Sequence, residues 1–174
     1  DTDMANALRV GIAGLGTVGV GALRILTERA NELALAAGRP IRVTAVSSRD
    51  KTRDRGVDLS PYAWFDDPVA LAKSDAIDIL VETIGGSEGS AHEAVKAALN
   101  AGKPVVTANK ALLAKHGADL AKLAEANGVV IAFEPAAAGV AGEVGWRTGI
   151  RAAMPERFRQ HVRVAQAKVE SLPG

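Results

Sequence analysis

Apolar residues in this chain fall into short continuous runs, separated by longer stretches in which they recur every three or four positions. The runs at residues 8–13, 41–46, 77–81, 105–107 and 129–133 are rich in valine, isoleucine and alanine, and almost all are continuously apolar rather than alternating. Runs of that kind predict strands buried on both faces. Between the first two, Val18, Leu23, Ile25, Leu26 and Leu33 keep helical spacing and predict one helix over 17–37, stopped by Gly38 and Pro40. Asp66-Asp67-Pro68 predicts a short helix with an aspartate cap and proline in its first turn. Residues 90–101 read as a helix closed by Gly102, and Asn109 as the cap of a helix that begins at Lys110 and stops at Gly128. Residues 50–60 are charged and weakly periodic, and read as loop.

Strands that alternate with helices imply an α/β fold, a Rossmann-type doubly wound parallel sheet. Right-handed crossovers bring the C-terminal ends of all the strands to one edge, where ligands of such sheets bind. The segments after the strands are therefore the places to look for function: 14–19, 47–50, 82–86, 108–110 and 134–139. We expect a dinucleotide-binding domain over 6–140 and an atypical extension over 141–174.

The first of these segments reads Gly14-Leu15-Gly16-Thr17-Val18-Gly19, set between a strand and a helix. Gly14 permits the turn, Gly16 lets backbone approach a phosphate, and Gly19 lets the helix pack closely on the sheet. Thr17 and Val18 supply N–H groups at the helix start, so a pyrophosphate suits this point. After the second strand, the acidic residue that would bind a ribose 2′-hydroxyl is replaced by Ser47-Ser48-Arg49, with Asp50 one place further on. Ser48 and Arg49 suit a 2′-phosphate, which favours NADP over NAD, although Arg49 also fits a plainly solvated side chain. After the next strand, Glu82 precedes Thr83, Ile84, Gly85 and Gly86. Its carboxylate fits a turn cap as well as a functional group, and the backbone of Thr83, Ile84 and Gly85 can approach a nicotinamide. In Thr107-Ala108-Asn109-Lys110, the lysine faces the unfavourable end of a helix dipole. A cation there can stabilise the oxygen of a carbonyl undergoing reduction. Glu134, followed by Pro135 and small residues, fits either a turn cap or an oxygen ligand to a hard cation.

Composition narrows the classes. The 174 residues carry a net charge of +1 and only 3% aromatics, so no basic, aromatic-laced surface for nucleic acid is expected. No apolar run is long enough for a membrane span. The chain has no cysteine, which excludes disulfides and thiolate sites and fits a cytoplasmic protein. His92, His116 and His161 show no metal-ligand spacing and read as surface or helix positions.

Together, 14–19, Val81-Glu82-Thr83-Ile84-Gly85-Gly86, the stretch 101–114 containing Val-Thr-Ala-Asn-Lys, and Phe133-Glu134 resemble homoserine dehydrogenase. The resemblance runs from about Leu8 to Gly139. It implies reversible hydride transfer between NADP or NAD and a small-molecule substrate, L-homoserine or aspartate 4-semialdehyde, on the route to threonine, methionine and isoleucine. It implies that Lys110 lies at the active site, that Thr83 and the turn Thr107, Ala108 and Asn109 lie beside the cofactor, and that Glu134, with carbonyls such as those of Ala137 and Gly139, holds Na+ or K+. It also implies a homo-oligomer. Beyond Gly139 the chain departs from the family pattern. The Asn-Gly-Thr stretch and the second active-site lysine are missing, and the arginine-rich residues 152–174 fit either natural divergence or a disrupted reading frame. We therefore expect cofactor binding with little or no turnover. A non-catalytic nucleotide-binding module and a dehydrogenase of another amino-acid-derived carbonyl are the alternatives.

Overall fold

The computed structural model describes residues 5–133. The expected extension over 141–174 and the end of the expected domain, 134–140, lie outside the described residues. Six strands form one sheet: β1 (Leu8–Ala13), β2 (Ile41–Ser47), β3 (Ala63–Phe65), β4 (Ile79–Glu82), β5 (Val105–Thr107) and β6 (Ile131–Phe133). Their order is β3-β2-β1-β4-β5-β6 and every pairing is parallel. That is the doubly wound order expected of a dinucleotide-binding sheet, with its switch point between β1 and β4.

The helices are α1 (Thr17–Glu28), α2 (Ala30–Ala37), α3 (Pro68–Lys73), α4 (Ser90–Asn100) and α5 (Lys110–Ala126). The two faces of the sheet carry separate cores. On one, Leu8, Val10, Ile12, Ile79, Val81 and Val106 pack with Leu23 and Leu26 of α1 and Leu33 of α2. On the other, Ala13, Ala45, Leu80 and Val105 pack with Leu71 of α3, Val95 and Leu99 of α4, and Leu112 and Leu120 of α5. This division follows from handedness. The chain moves one way across the sheet from β1 to β2 and the other way from β3 to β6, so right-handed crossovers fall on opposite faces.

Two expectations are corrected. The single helix over 17–37 is two helices. Arg29 (φ −108°, ψ 24°) closes α1 by donating its N–H to the Ile25 carbonyl, and its own carbonyl accepts from Leu33 N as α2 begins. The break leaves Leu23, Leu26, Leu33 and Ala37 in one core, and the apolar spacing is the same on either side of it. The third and last strands are shorter than their apolar runs, Ile79–Glu82 and Ile131–Phe133. Ahead of β4, Ile77 N reaches back to the Ser74 carbonyl in a turn, so the chain joins the sheet two residues later. A third difference is an addition: β3 follows the 50–60 loop and pairs with β2 alone.

Two polar devices fix the edge remote from the strand tips. The Arg9 guanidinium holds both Asp78 carboxylate oxygens (3.0 and 3.2 Å), and Arg9 N donates to the same carboxylate at 2.9 Å. Burial pushes the Asp78 carboxyl up, but the bonds from Arg9 outweigh it and hold the group below its ordinary value. Lys103 Nζ donates to the carbonyls of Ala72 (3.0 Å) and Ser74 where α3 ends, at the negative end of that helix. Among the described residues no helix is long and apolar enough to cross a membrane.

Candidate functional site

The C-terminal tips of β1, β2, β4 and β5 stand side by side, and four of the five predicted segments meet there. The fifth, with Glu134, Ala137 and Gly139, lies outside the described residues, as does His161.

The turn after β1 is held by its neighbours on both sides. Gly14 N donates to the Ser47 carbonyl at the end of β2 (2.9 Å). Thr83, just past β4, donates its N–H to the Ala13 carbonyl (2.9 Å) and its hydroxyl to the Gly14 carbonyl (2.7 Å). Gly14 has φ +99°, and a Cβ on it would lie 2.9 Å from Ile84 N. Gly19 faces the same crowding: its Cβ would stand 1.8 Å from the Gly14 carbonyl oxygen. Both positions need glycine for close approach, α1 resting directly on the turn. Gly16 differs. It is exposed, with φ −79° and ψ −163°, and no heavy atom of the described residues lies within 4 Å of where its Cβ would be.

Gly16 is also the N-cap of α1 and has no side chain to cap it; no acidic residue stands in the first turn. The first amides of the helix, at Thr17 and Val18, therefore face outward without a side-chain acceptor, at the positive end of the helix. An open backbone position and free amides are what a diphosphate requires, so these residues fit a dinucleotide.

The tip of β2 divides the predicted residues. Ser47 is buried, and Arg49 is exposed with its side chain in solvent. Ser48 accepts a bond at its hydroxyl from Arg55 Nη2 (3.0 Å). Arg55, which the sequence did not single out, binds three segments at once. Its Nε donates to the Leu15 carbonyl in the glycine turn (3.1 Å), and its other nitrogens to the carbonyls of Asp50 (2.6 Å) and Arg53 (3.1 Å). A cavity of about 390 Å³ opens beside this clamp, between Leu15, Gly16, Thr17 and Arg24 on one wall and Arg53 and Arg55 on the other. The signal in the sequence was the alternation Arg49, Lys51, Arg53, Arg55. Asp50 is engaged locally: its Oδ1 accepts from Thr52 N (2.9 Å) and Thr52 Oγ1 (2.7 Å), and these bonds lower its pKa.

Between β4 and β5, Glu82 is the hub. It is fully buried. Its Oε1 accepts from Ile84 N (2.8 Å) and Gly85 N (3.3 Å), and its Oε2 from Thr107 Oγ1 (2.6 Å). Of the two roles open to this carboxylate, it takes the turn cap. Thr107 Oγ1 in turn accepts from Asn109 N (3.0 Å), and Ala108 N donates to the Glu82 carbonyl (3.1 Å). Asn109 caps α5 as expected, its Oδ1 accepting from Leu112 N (3.0 Å) and its Nδ2 donating to the Gly86 carbonyl (2.6 Å). Lys110 comes next, exposed in the first turn of α5. Strands lie about 4.8 Å apart, so the tips of β1 and β5 are about 10 Å apart across β4.

His92 and His116 lie on helices, as read from the sequence. His92 on α4 and His116 on α5 lie far apart in sequence, yet their rings stack with centroids 4.0 Å apart, and Glu88 stands beside both. Packing of α4 against α5 makes the cluster, and no sequence spacing could record it.

The sheet order, the uncapped helix and the glycine turn together define the coenzyme-binding domain of a nicotinamide-dependent dehydrogenase. Residues 14–134 match the family model described as homoserine dehydrogenase, NAD binding domain. The chain belongs to that family. It is 44% identical over 140 residues to a homoserine dehydrogenase of Corynebacterium glutamicum, covering 80% of this chain and 31% of the relative. Among solved structures, a homoserine dehydrogenase from Thiobacillus denitrificans superposes with a TM-score of 0.69 at 41% identity, over 76% of this chain and 30% of that one. A hyperthermophilic archaeal homoserine dehydrogenase in complex with NADPH gives 0.60 at 27% identity, over 74% and 44%. The chain thus spans about a third of the length of the curated relatives it matches.

Proposed function

We propose that this chain is the coenzyme-binding part of a homoserine dehydrogenase and takes NADP(H) in preference to NAD(H). The observation that carries the reading is the bare N-terminus of α1, with Gly16 open to solvent above it. In this reading the amides of Thr17 and Val18 bind the diphosphate, and Gly14 and Gly19 keep the turn low enough for it to approach. Ser48 and Arg49 hold the 2′-phosphate, helped by Arg53 across the cavity. Support for NADP is that Ser48 and Arg49, rather than a carboxylate, directly follow β2, while Asp50 Oδ1 is engaged by Thr52. The relative bound to NADPH supports the same choice.

When bound, the coenzyme supplies or accepts the hydride that interconverts aspartate 4-semialdehyde and L-homoserine. The backbone of Thr83, Ile84 and Gly85 and the turn Thr107, Ala108 and Asn109 would hold the nicotinamide end of the coenzyme. Lys110 is the catalytic residue. Its ammonium stands where the N-terminus of α5 already makes the field positive, and it holds a proton to the substrate oxygen as negative charge grows there. Glu134, with the carbonyls of Ala137 and Gly139, belongs to the same proposal as a Na+ or K+ site, on the strength of the family resemblance. So does a domain boundary at residue 140, with 141–174 as a separate extension.

Calorimetric titration with NADPH and with NADH tests the reading. We expect both to bind, NADPH about tenfold or more tightly, because an added phosphate gains charge-assisted hydrogen bonds. Failure of both to bind folded protein would overturn the proposal. Preference for NADH would overturn only the assignment of Ser48 and Arg49. Lys110→Ala should leave NADPH affinity in place and abolish any homoserine-dependent reduction of NADP.

A further inference from the structure

Glu88 lies in the loop between β4 and α4, His92 in the first turn of α4, and His116 in the second turn of α5. The Glu88 carboxylate stands 2.9 Å from His116 Nε2 and 3.9 Å from His92 Nδ1, and one donor atom from each residue falls within 4.8 Å of the others. We propose that Glu88, His92 and His116 form a divalent transition-metal site of the class zinc occupies, joining the loop after β4 to α5.

Two imidazole nitrogens and one carboxylate oxygen, with a fourth position left to water, are a familiar donor set for zinc. Glu88 already draws Lys115 Nζ to 2.6 Å and His116 Nε2 to 2.9 Å. The two rings are mostly buried, so their positions are set by the packing of the helices rather than by solvent.

Two features must give way on binding. The rings lie nearly parallel (12°), so one ring turns about its Cβ–Cγ bond to converge on the ion. Lys115 Nζ, now 2.6 Å from Glu88, withdraws; its side chain is 59% exposed and free to move into water. The ammonium marks the place where the cluster already attracts a cation. A metal there would anchor the Gly85–Gly89 segment against α5, and Gly86 in that segment already accepts from Asn109 beside Lys110. The site would thus tighten the sheet edge from outside the coenzyme cleft, and it does not depend on which coenzyme binds.

The test is calorimetric titration of the full chain, stripped with chelator, with zinc chloride at about pH 7. We expect one equivalent bound. His92→Gln and His116→Gln should each weaken binding about tenfold or more, and His161→Gln should not. Lys115→Gln should tighten it by removing the competing cation. All four substitutions are checked for folding by circular dichroism. Absence of stoichiometric binding to the folded parent would overturn the site, as would affinity that survives the double variant H92Q/H116Q.

Discussion

Replacing Gly16 with alanine separates a phosphate cradle from a plain tight turn, because the structure assigns the two neighbouring glycines different duties. At Gly16, φ is −79° and ψ −163°, an extended conformation open to any L residue, and a methyl there meets no atom of the described residues within 4 Å. Alanine is a poorer N-cap than glycine, but it loses less chain entropy on folding, so the net change in stability should stay within about 1 kcal/mol. At Gly19, a methyl would sit 1.8 Å from the Gly14 carbonyl oxygen and 2.8 Å from Thr83 Oγ1. The obstacle is backbone and cannot rotate away, so α1 must lift by more than an ångström; overpacking of this kind costs about 3 kcal/mol. For coenzyme binding the order reverses in cause. The Gly16→Ala methyl stands in the open space where the diphosphate would approach the amides, and losing one or two charge-assisted bonds, each worth about 1.5–3 kcal/mol, weakens binding about 100-fold. Urea denaturation and NADPH titration on the same preparations read the two effects separately. We expect Gly16→Ala to be as stable as the parent and nearly blind to coenzyme, and Gly19→Ala to be unstable. Parental NADPH affinity in Gly16→Ala would refute the cradle. Parental stability in Gly19→Ala would refute the packing argument.

Three further outcomes rest on the bonds around the site and the sheet. Arg55→Met removes four hydrogen bonds, one to the glycine turn at Leu15 and three within the segment after β2; it should lower stability by about 1–2 kcal/mol in urea denaturation and weaken NADPH several-fold. Unchanged values would show that the loop is held without it. Glu82→Gln puts an NH2 group against donors that need an acceptor, whether Thr107 Oγ1 or the Ile84 and Gly85 amides, and should cost about 1–3 kcal/mol; an unperturbed melting transition would count against the hub. In acid, the folded Asp78 carboxyl titrates below its ordinary 3.8, so its contribution is complete above that value and is lost as pH falls through the lower folded one. Asp78→Asn should therefore flatten the decline of stability in this range, and an unchanged acid profile would contradict the assignment.

The strands were legible because this sheet buries both of its faces, and continuous apolar runs such as Leu8–Ala13 fit little else at that length. The Asp67 cap and the Asn109 cap were legible for a local reason, each side chain accepting from an amide two or three residues on. β3 was not legible. It is three half-exposed residues at the sheet edge, and its partner Ala45–Ser47 makes it a strand. The break at Arg29 was hidden because α1 and α2 keep the same apolar period on either side of it. Arg55 and the His92–His116 stack were hidden for a shared reason: each depends on how separate segments meet, which no local pattern records.

The sequence revealed the glycine turn and the residues after each strand, and it missed Arg55 and the bonds by which these separate segments hold one another still. Arg55 fixes the glycine turn to the β2 loop, Thr83 fixes the same turn to β4, and Glu82 and Asn109 fix β4 to β5 and α5. Hydrogen bonds thus lock four strand tips into one frame without a ligand. Amides held in place beforehand lose little freedom when an anion arrives, so more of each bond appears as affinity. The same rigidity serves chemistry, because a positive field fixed before charge develops need not reorganise as it does. Glycines open the space, but the buried carboxylate and the arginine clamp decide whether that space has the shape of a ligand.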